Sequence, residues 1–190
     1  MTRQEIKAKA REQLGGNIFS TNWLMALLAL LIVSVLNSVI PGVAAIVSSG
    51  PLAVGTALVF LALARGEGEV KLEKLFDPFT TDFLGSFLLG LLMALFTALW
   101  TLLFIIPGIV KGYAYAMAPY IKADHPEMDA LTCIKESQNM MKGHKMDLFI
   151  LDLSFIGWLI VGALACGIGT LFVAPYMAAA KANFYESIKN

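Results

Sequence analysis

Apolar residues in this chain fall in long unbroken runs, not in the one-sided periodicity of soluble helices. Trp23–Ile40, Val43–Ala64, Phe83–Ile106 and Leu148–Cys166 hold 18, 22, 24 and 19 residues, and only the last carries a charge, Asp152. A hydrocarbon core of about 30 Å is crossed by roughly 20 helical residues at about 1.5 Å each, so each run predicts a membrane-spanning helix. Two weaker runs, Ile109–Ile121 and Ile168–Ala180, are ambiguous by length alone.

The positions of Lys and Arg decide between the alternatives. If Ile109–Ile121 crosses, there are six spans, and thirteen of the 14 basic residues share the side of the termini, leaving Lys111 opposite. If it does not cross, they divide evenly. The positive-inside bias selects the first arrangement, with both termini cytoplasmic. The expected fold is therefore all-α: a polytopic bundle of six spans (about 22–40, 43–64, 83–106, 108–123, 148–166 and 168–187) arranged as three helical hairpins. Residues 17–190 form the membrane domain in this reading. The outer turns are expected at Pro41-Gly42, Pro107-Gly108 and Gly167-Ile168-Gly169. Proline at Pro107 suits the first turn of a returning helix, where its missing N–H costs nothing. The basic start and Val43-Ala44-Ala45 resemble a signal peptide and its cleavage site. An 18-residue run exceeds the usual h-region of about 7–15, however, so a retained first span is expected.

Composition agrees: 58% of the 190 residues are hydrophobic and 15% charged, against about a quarter charged in soluble domains. Formal net charge is zero, which points away from nucleic acid.

Within each hairpin the second span carries a proline, Pro51, Pro119 or Pro175, and each is expected to kink its helix. Ile40-Pro41-Gly42-Val43 echoes Ile106-Pro107-Gly108-Ile109, and Ala118-Pro119-Tyr120 echoes Ala174-Pro175-Tyr176, which reads as a degenerate three-fold repeat. Broken helices in repeats are one mark of transporters. Ser86, Gly90, Ala94 and Ala98 recur every four residues, a small-residue stripe for close helix packing.

Between the runs lie short amphipathic segments on the cytoplasmic side. In residues 1–16, Thr2-Arg3-Gln4-Glu5 has capping-box spacing, and Ile6, Ala10 and Leu14 form an apolar stripe flanked by Lys7, Lys9 and Arg11. An interfacial helix meeting anionic lipid is expected there, ended by Gly15-Gly16. Arg65–Asp82 reads as an interfacial re-entry. Residues 124–147 predict a helix starting near Asp124-His125-Pro126-Glu127 and stopping at Gly143, a surface for lipid, for other loops or for a partner.

Candidate chemistry is sparse. No phosphate loop, zinc motif or nucleophile elbow occurs, and His125 and His144 lack ligand spacing, so no cofactor, metal or catalytic residue is assigned. Ser154 has no His or Lys at helical spacing to activate it. Asp152 and Lys181 each sit about five residues inside neighbouring spans, at matching depth, and are expected to form an intramembrane ion pair.

Several strings resemble a known bacterial family. They are Gly50-Pro51-Leu52, Leu99-Trp100 leading to Ile105-Ile106-Pro107-Gly108-Ile109-Val110-Lys111, Tyr113 to Asp124, Met141-Lys142-Gly143-His144-Lys145, Leu153 to Trp158, and Pro175-Tyr176. Together they resemble the integral membrane proteins grouped as domain of unknown function 975. That resemblance implies a multi-pass bacterial membrane protein and transfers no activity. The expectation is a non-enzymatic accessory or adaptor protein of the bacterial cytoplasmic membrane. Its expected partners are the bilayer, a cytoplasmic or membrane protein, or a second copy of itself. The alternative is a small transporter or channel for a solute or lipid.

Overall fold

Thr2 opens the first helix in the way its spacing predicts. Its hydroxyl accepts from the Glu5 N–H at 3.3 Å, and the Glu5 carboxylate accepts from the Thr2 N–H at 2.8 Å. The helix α1 (Arg3–Gln13) stops where Gly15 and Gly16 turn to φ of 94° and 71°, a conformation that costs glycine least. In the computed structural model the described residues are 2–39, 43–164 and 168–189. Beyond α1 come α2 (Thr21–Val39), α3 (Val43–Ala64), a 3-10 turn (Leu72–Leu75), α4 (Asp77–Thr81) and α5 (Phe83–Leu103). Then follow α6 (Ile105–Tyr115), α7 (Ala118–Asp124), α8 (Ala130–Met140), α9 (Lys145–Leu164) and α10 (Ile168–Ile188). No strand occurs among the described residues.

The α3 helix is apolar on every side and takes the centre. From Leu52 to Ala64 it is mostly buried, Ala53 excepted, with α1, α2, α5, α7, α10 and the 3-10 turn packed around it. Phe60, Met117, Tyr185 and Met141, all fully buried, belong to the same contiguous core. The opposite end is different. Leu102, Leu103, Phe104, Ile105 and Ile106 form an apolar tip, with Leu102 88% exposed. Such a contiguous exposed apolar tip suits a lipid environment and not water. By length and composition three helices among the described residues can cross a bilayer, Thr21–Val39, Ala45–Ala64 and Phe83–Leu103, with mean hydropathies of 2.0, 2.0 and 2.1.

Several expectations need correction. The chain reverses at Phe104, whose backbone is extended, and not at Pro107-Gly108. Pro107 is the third residue of α6, and Gly108 is buried where a Cβ would strike Thr101 of α5. It is therefore a packing glycine, not a turn glycine. The range 108–123 is not one helix: α6 ends at Tyr115 and α7 begins at Ala118, so Pro119 starts a new helix instead of kinking an old one. Pro51 and Pro175 do lie inside continuous helices. Pro41, Gly42 and Gly167 fall outside the described residues, and Gly169 is the second residue of α10. The helix in 124–147 begins at Ala130, capped by Asp129 on the Thr132 N–H, and Gly143 follows its end with φ 86°. The apolar face of α1 meets protein, and so does most of that of α8, where Leu131 stays exposed. Ile6, Ala10 and Leu14 of α1, and Cys133, Ile134 and Met141 at α8, are all buried in the core.

Candidate functional site: a polar end and an amphipathic groove

The C-terminal ends of α3, α7 and α10 converge, and their last residues carry the charge. Arg65 reaches Asp124 at 2.5 Å and Glu186 at 2.8 Å, Lys189 reaches Asp124 at 2.7 Å, and the Tyr185 hydroxyl donates to the same carboxylate at 2.9 Å. The Asp124 side chain is 5% exposed. Burial alone would raise its pKa, but hydrogen bonds from Lys189, Arg65 and Tyr185 outweigh it and hold the carboxyl below its usual range. Beside this cluster, Gln13 ties α1 in. Its amide donates to the Ala64 carbonyl at the end of α3 and accepts from Asn183 of α10 at 2.6 Å.

The gap between α6 and α7 is filled from α8. The fully buried Ser137 hydroxyl donates to the Ala114 carbonyl at 2.8 Å and accepts from the Met117 N–H at 3.2 Å. Backbone groups freed by a helix break inside an apolar bundle need such partners. The Trp23 indole donates to the Phe172 carbonyl at 3.1 Å and so ties α2 to α10. Nearby, Lys181 lies 3.2 Å from Asp152 Oδ1, and the Tyr113 hydroxyl donates to Asp152 Oδ2 at 3.3 Å. The expected pair is thus brought together, with a tyrosine from the broken helix as its third member. Ser86 and Gly90 meet α3, since a Cβ on Gly50 would strike the Ser86 carbonyl and one on Gly90 would strike Gly50, whereas Ala94 and Ala98 are exposed.

Two features had no sequence signal. Lys122 is 97% buried, at 3% exposure. Its ammonium is saturated by the Pro126 and Met128 carbonyls at 2.7 and 2.6 Å and by Asp82 at 2.5 Å. Only the fold brings Lys7 to Ser154, where the ammonium donates to the hydroxyl at 3.3 Å and lies 4.5 Å from the Phe155 ring centre. Ser154 spends its own proton on the Leu151 carbonyl at 2.6 Å, the arrangement of a satisfied serine and not of an activated nucleophile. Among the described residues, His125 and His144 each face a local carboxylate, Glu127 at 3.3 Å and Asp147 at 3.2 Å.

Alongside Lys7 runs a groove in two parts. An open, shallow trough of about 550 Å³ is lined by Gln4, Lys7, Ala8, Arg11, Glu12 and Tyr176, with charged groups set on a largely apolar surface. Arg11 and Tyr176 also border a second cavity of about 500 Å³, walled by Trp23, Trp158, Phe172 and Val173.

Residues 1–111 and 103–190 both match the family described as Protein of unknown function (DUF975), so the match covers the whole chain. The chain belongs to that family. Neither the curated proteins nor the solved structures contain a match. Membership, an all-helical fold and helices able to span a bilayer agree with one another, and the family brings no assigned chemistry to the residues above.

Proposed function

We propose that the chain is a non-enzymatic accessory or adaptor protein of the bacterial cytoplasmic membrane. It spans six times as three hairpins, α2 with α3, α5 with α6 and α7, and α9 with α10, with both termini in the cytoplasm. The observation carrying this reading is the polarity of the bundle: ion pairs tie the ends of α3, α7 and α10 at one pole, while the apolar α5–α6 tip stands at the other. An adaptor role is supported by the filled centre, where Phe60, Met117 and Tyr185 occupy the space a central solute path would need. What α1 and α8 offer a partner is chiefly their polar outer face, including Arg3, Lys135 and Glu136, because apart from Leu131 their apolar faces are already used.

Topology is tested with introduced cysteines, since native Cys133 is buried and burial pushes its thiol up to about 11. In a Cys-free background, an impermeant maleimide applied outside intact cells should label Phe104→Cys and leave Glu73→Cys untouched. The reverse pattern overturns the orientation. Function is tested by in-cell crosslinking and mild-detergent purification. A stoichiometric partner lost on charge reversal at Lys135 and Glu136 supports the adaptor, and a chain that emerges alone counts against it.

One observation favours transport instead: the α6–α7 break lies beside the Asp152–Lys181–Tyr113 group, and discontinuous helices with charges mark transporter sites. Solute flux in reconstituted vesicles that disappears in a folded Asp152→Asn variant would favour it.

A further inference from the structure

The groove along α1 is amphipathic in the way a lipid is. Its trough carries Lys7 and Arg11, and among the described residues neither is in an ion pair. Glu12 lines the same trough, so one positive charge is left uncompensated. Burial lowers the Lys7 pKa, and the Ser154 hydroxyl and the Phe155 ring offer its ammonium dipoles but no counter-charge. Past Arg11 and Tyr176 the lining turns aromatic and aliphatic, in a cavity of about 500 Å³, within the usual range of roughly 300–1,000 Å³ for ligand pockets. Its walls come from the start of α2, from α9 and from α10, and α2 is one of the helices long and apolar enough to cross a bilayer.

We propose that this groove holds one anionic phospholipid, with its phosphate on Arg11 and Lys7 and an acyl chain against Trp23, Trp158 and Phe172. Arginine suits the headgroup because its planar fork can bond two phosphate oxygens at once. Trp158 suits the glycerol level, where an apolar ring with one N–H donor is favoured, and Trp23, whose N–H is held by the Phe172 carbonyl, offers the acyl chain its ring face. A free phosphate would leave the aromatic cavity unfilled, and a lipid without net negative charge would leave the one excess positive charge of the trough uncompensated. The proposal rests on the membrane placement argued above, but it makes a narrower claim than the attraction of any basic helix to an anionic surface. It requires one site, and it requires Arg11 more than other cations of α1.

The test is native mass spectrometry of the full chain in mild detergent, offered equal amounts of phosphatidylglycerol and phosphatidylcholine with identical acyl chains. One phosphatidylglycerol per chain should be retained, in preference by about tenfold or more. Equal retention of the two lipids, or no retention, overturns the proposal without any variant being needed. Arg11→Gln, at an exposed position, should remove the preference. Arg3→Gln, on the same helix but lining neither cavity, should keep it. Equal losses from these two substitutions would mean diffuse surface attraction and would sink the site. Trp158→Ala should weaken retention of both lipids. Glycerol phosphate, which has no acyl chain, should not be retained, and its binding at the same strength would assign the groove to a small anion instead. The result is independent of the orientation assay, because retention in micelles can fail while the maleimide pattern stands.

Discussion

At the scale of single residues, the bundle depends on polar side chains placed where the backbone is interrupted. Ser137 is the clearest case, since one hydroxyl serves both the Ala114 carbonyl and the Met117 N–H in a fully buried gap. Removing it leaves a buried donor and a buried acceptor without this partner, a loss of about 1–3 kcal/mol. Ser137→Ala should therefore lower stability by that amount, read as a shift in the denaturation midpoint of the detergent-solubilised chain. Ser38→Ala provides the control. Its hydroxyl is exposed and bonds only the Ser34 carbonyl one turn back, so the change should stay within about 0.5 kcal/mol. Equal effects from the two substitutions would show that the broken helix needs no patch. Lys122 follows the same logic with a charge, since an ammonium 3% exposed is stable there only because three acceptors surround it.

At the scale of elements, the α3–α5 crossing shows how small residues set helix separation. Gly50 lies against the Ser86 carbonyl and Gly90 against Gly50, so backbone meets backbone with no flexible side chain able to yield. Gly50→Ala should force the helices apart and destabilise the chain by about 1–3 kcal/mol. Ala94→Leu, on the same stripe but exposed, should be tolerated, and stability measurements on the two variants would expose an error in this division. The stripe was legible from spacing of four, but spacing cannot say how far along a helix the partner stays in contact. The long helices were legible for a simple reason: α2, α3, α5 and α9 each follow an apolar run to within a few residues, whereas α10 continues past its run to Ile188. The reversal at Phe104 was not legible. An extended residue inside Leu102–Ile106 leaves no mark in composition, and the adjacent Pro107-Gly108 carries the stronger local turn signal. The amphipathic stripes of α1 and α8 were visible too, yet a stripe shows only that something apolar covers it. That this cover is α10 and α3 for α1, and α5, α7 and α6 for α8, is a long-range fact of packing.

At the scale of the whole molecule, the ion cluster links three helix ends and so couples their stability to pH. The Asp124 carboxyl is held below its usual range by Lys189, Arg65 and Tyr185 despite its burial. A carboxyl whose folded pKa is depressed adds stability that is complete above its unfolded value, near 3.9, and is lost as pH falls through the folded value. Acidification below about pH 4 should therefore loosen the joint between α3, α7 and α10, while neutral and mildly alkaline pH should leave it intact. Asp124→Asn should be less stable than the parent at pH 7, because Arg65 and Lys189 lose their shared carboxylate, and should approach the parent as pH falls below 4. Melting of the two proteins in detergent at fixed ionic strength, from pH 7 down to pH 3, checks this directly. A constant gap across that range would mean that Asp124 contributes shape and not charge. The three helix ends would then be held by the apolar core around Phe60 and Tyr185 alone. Convergence of the two curves would place the electrostatic joint at the pole where α3, α7 and α10 end.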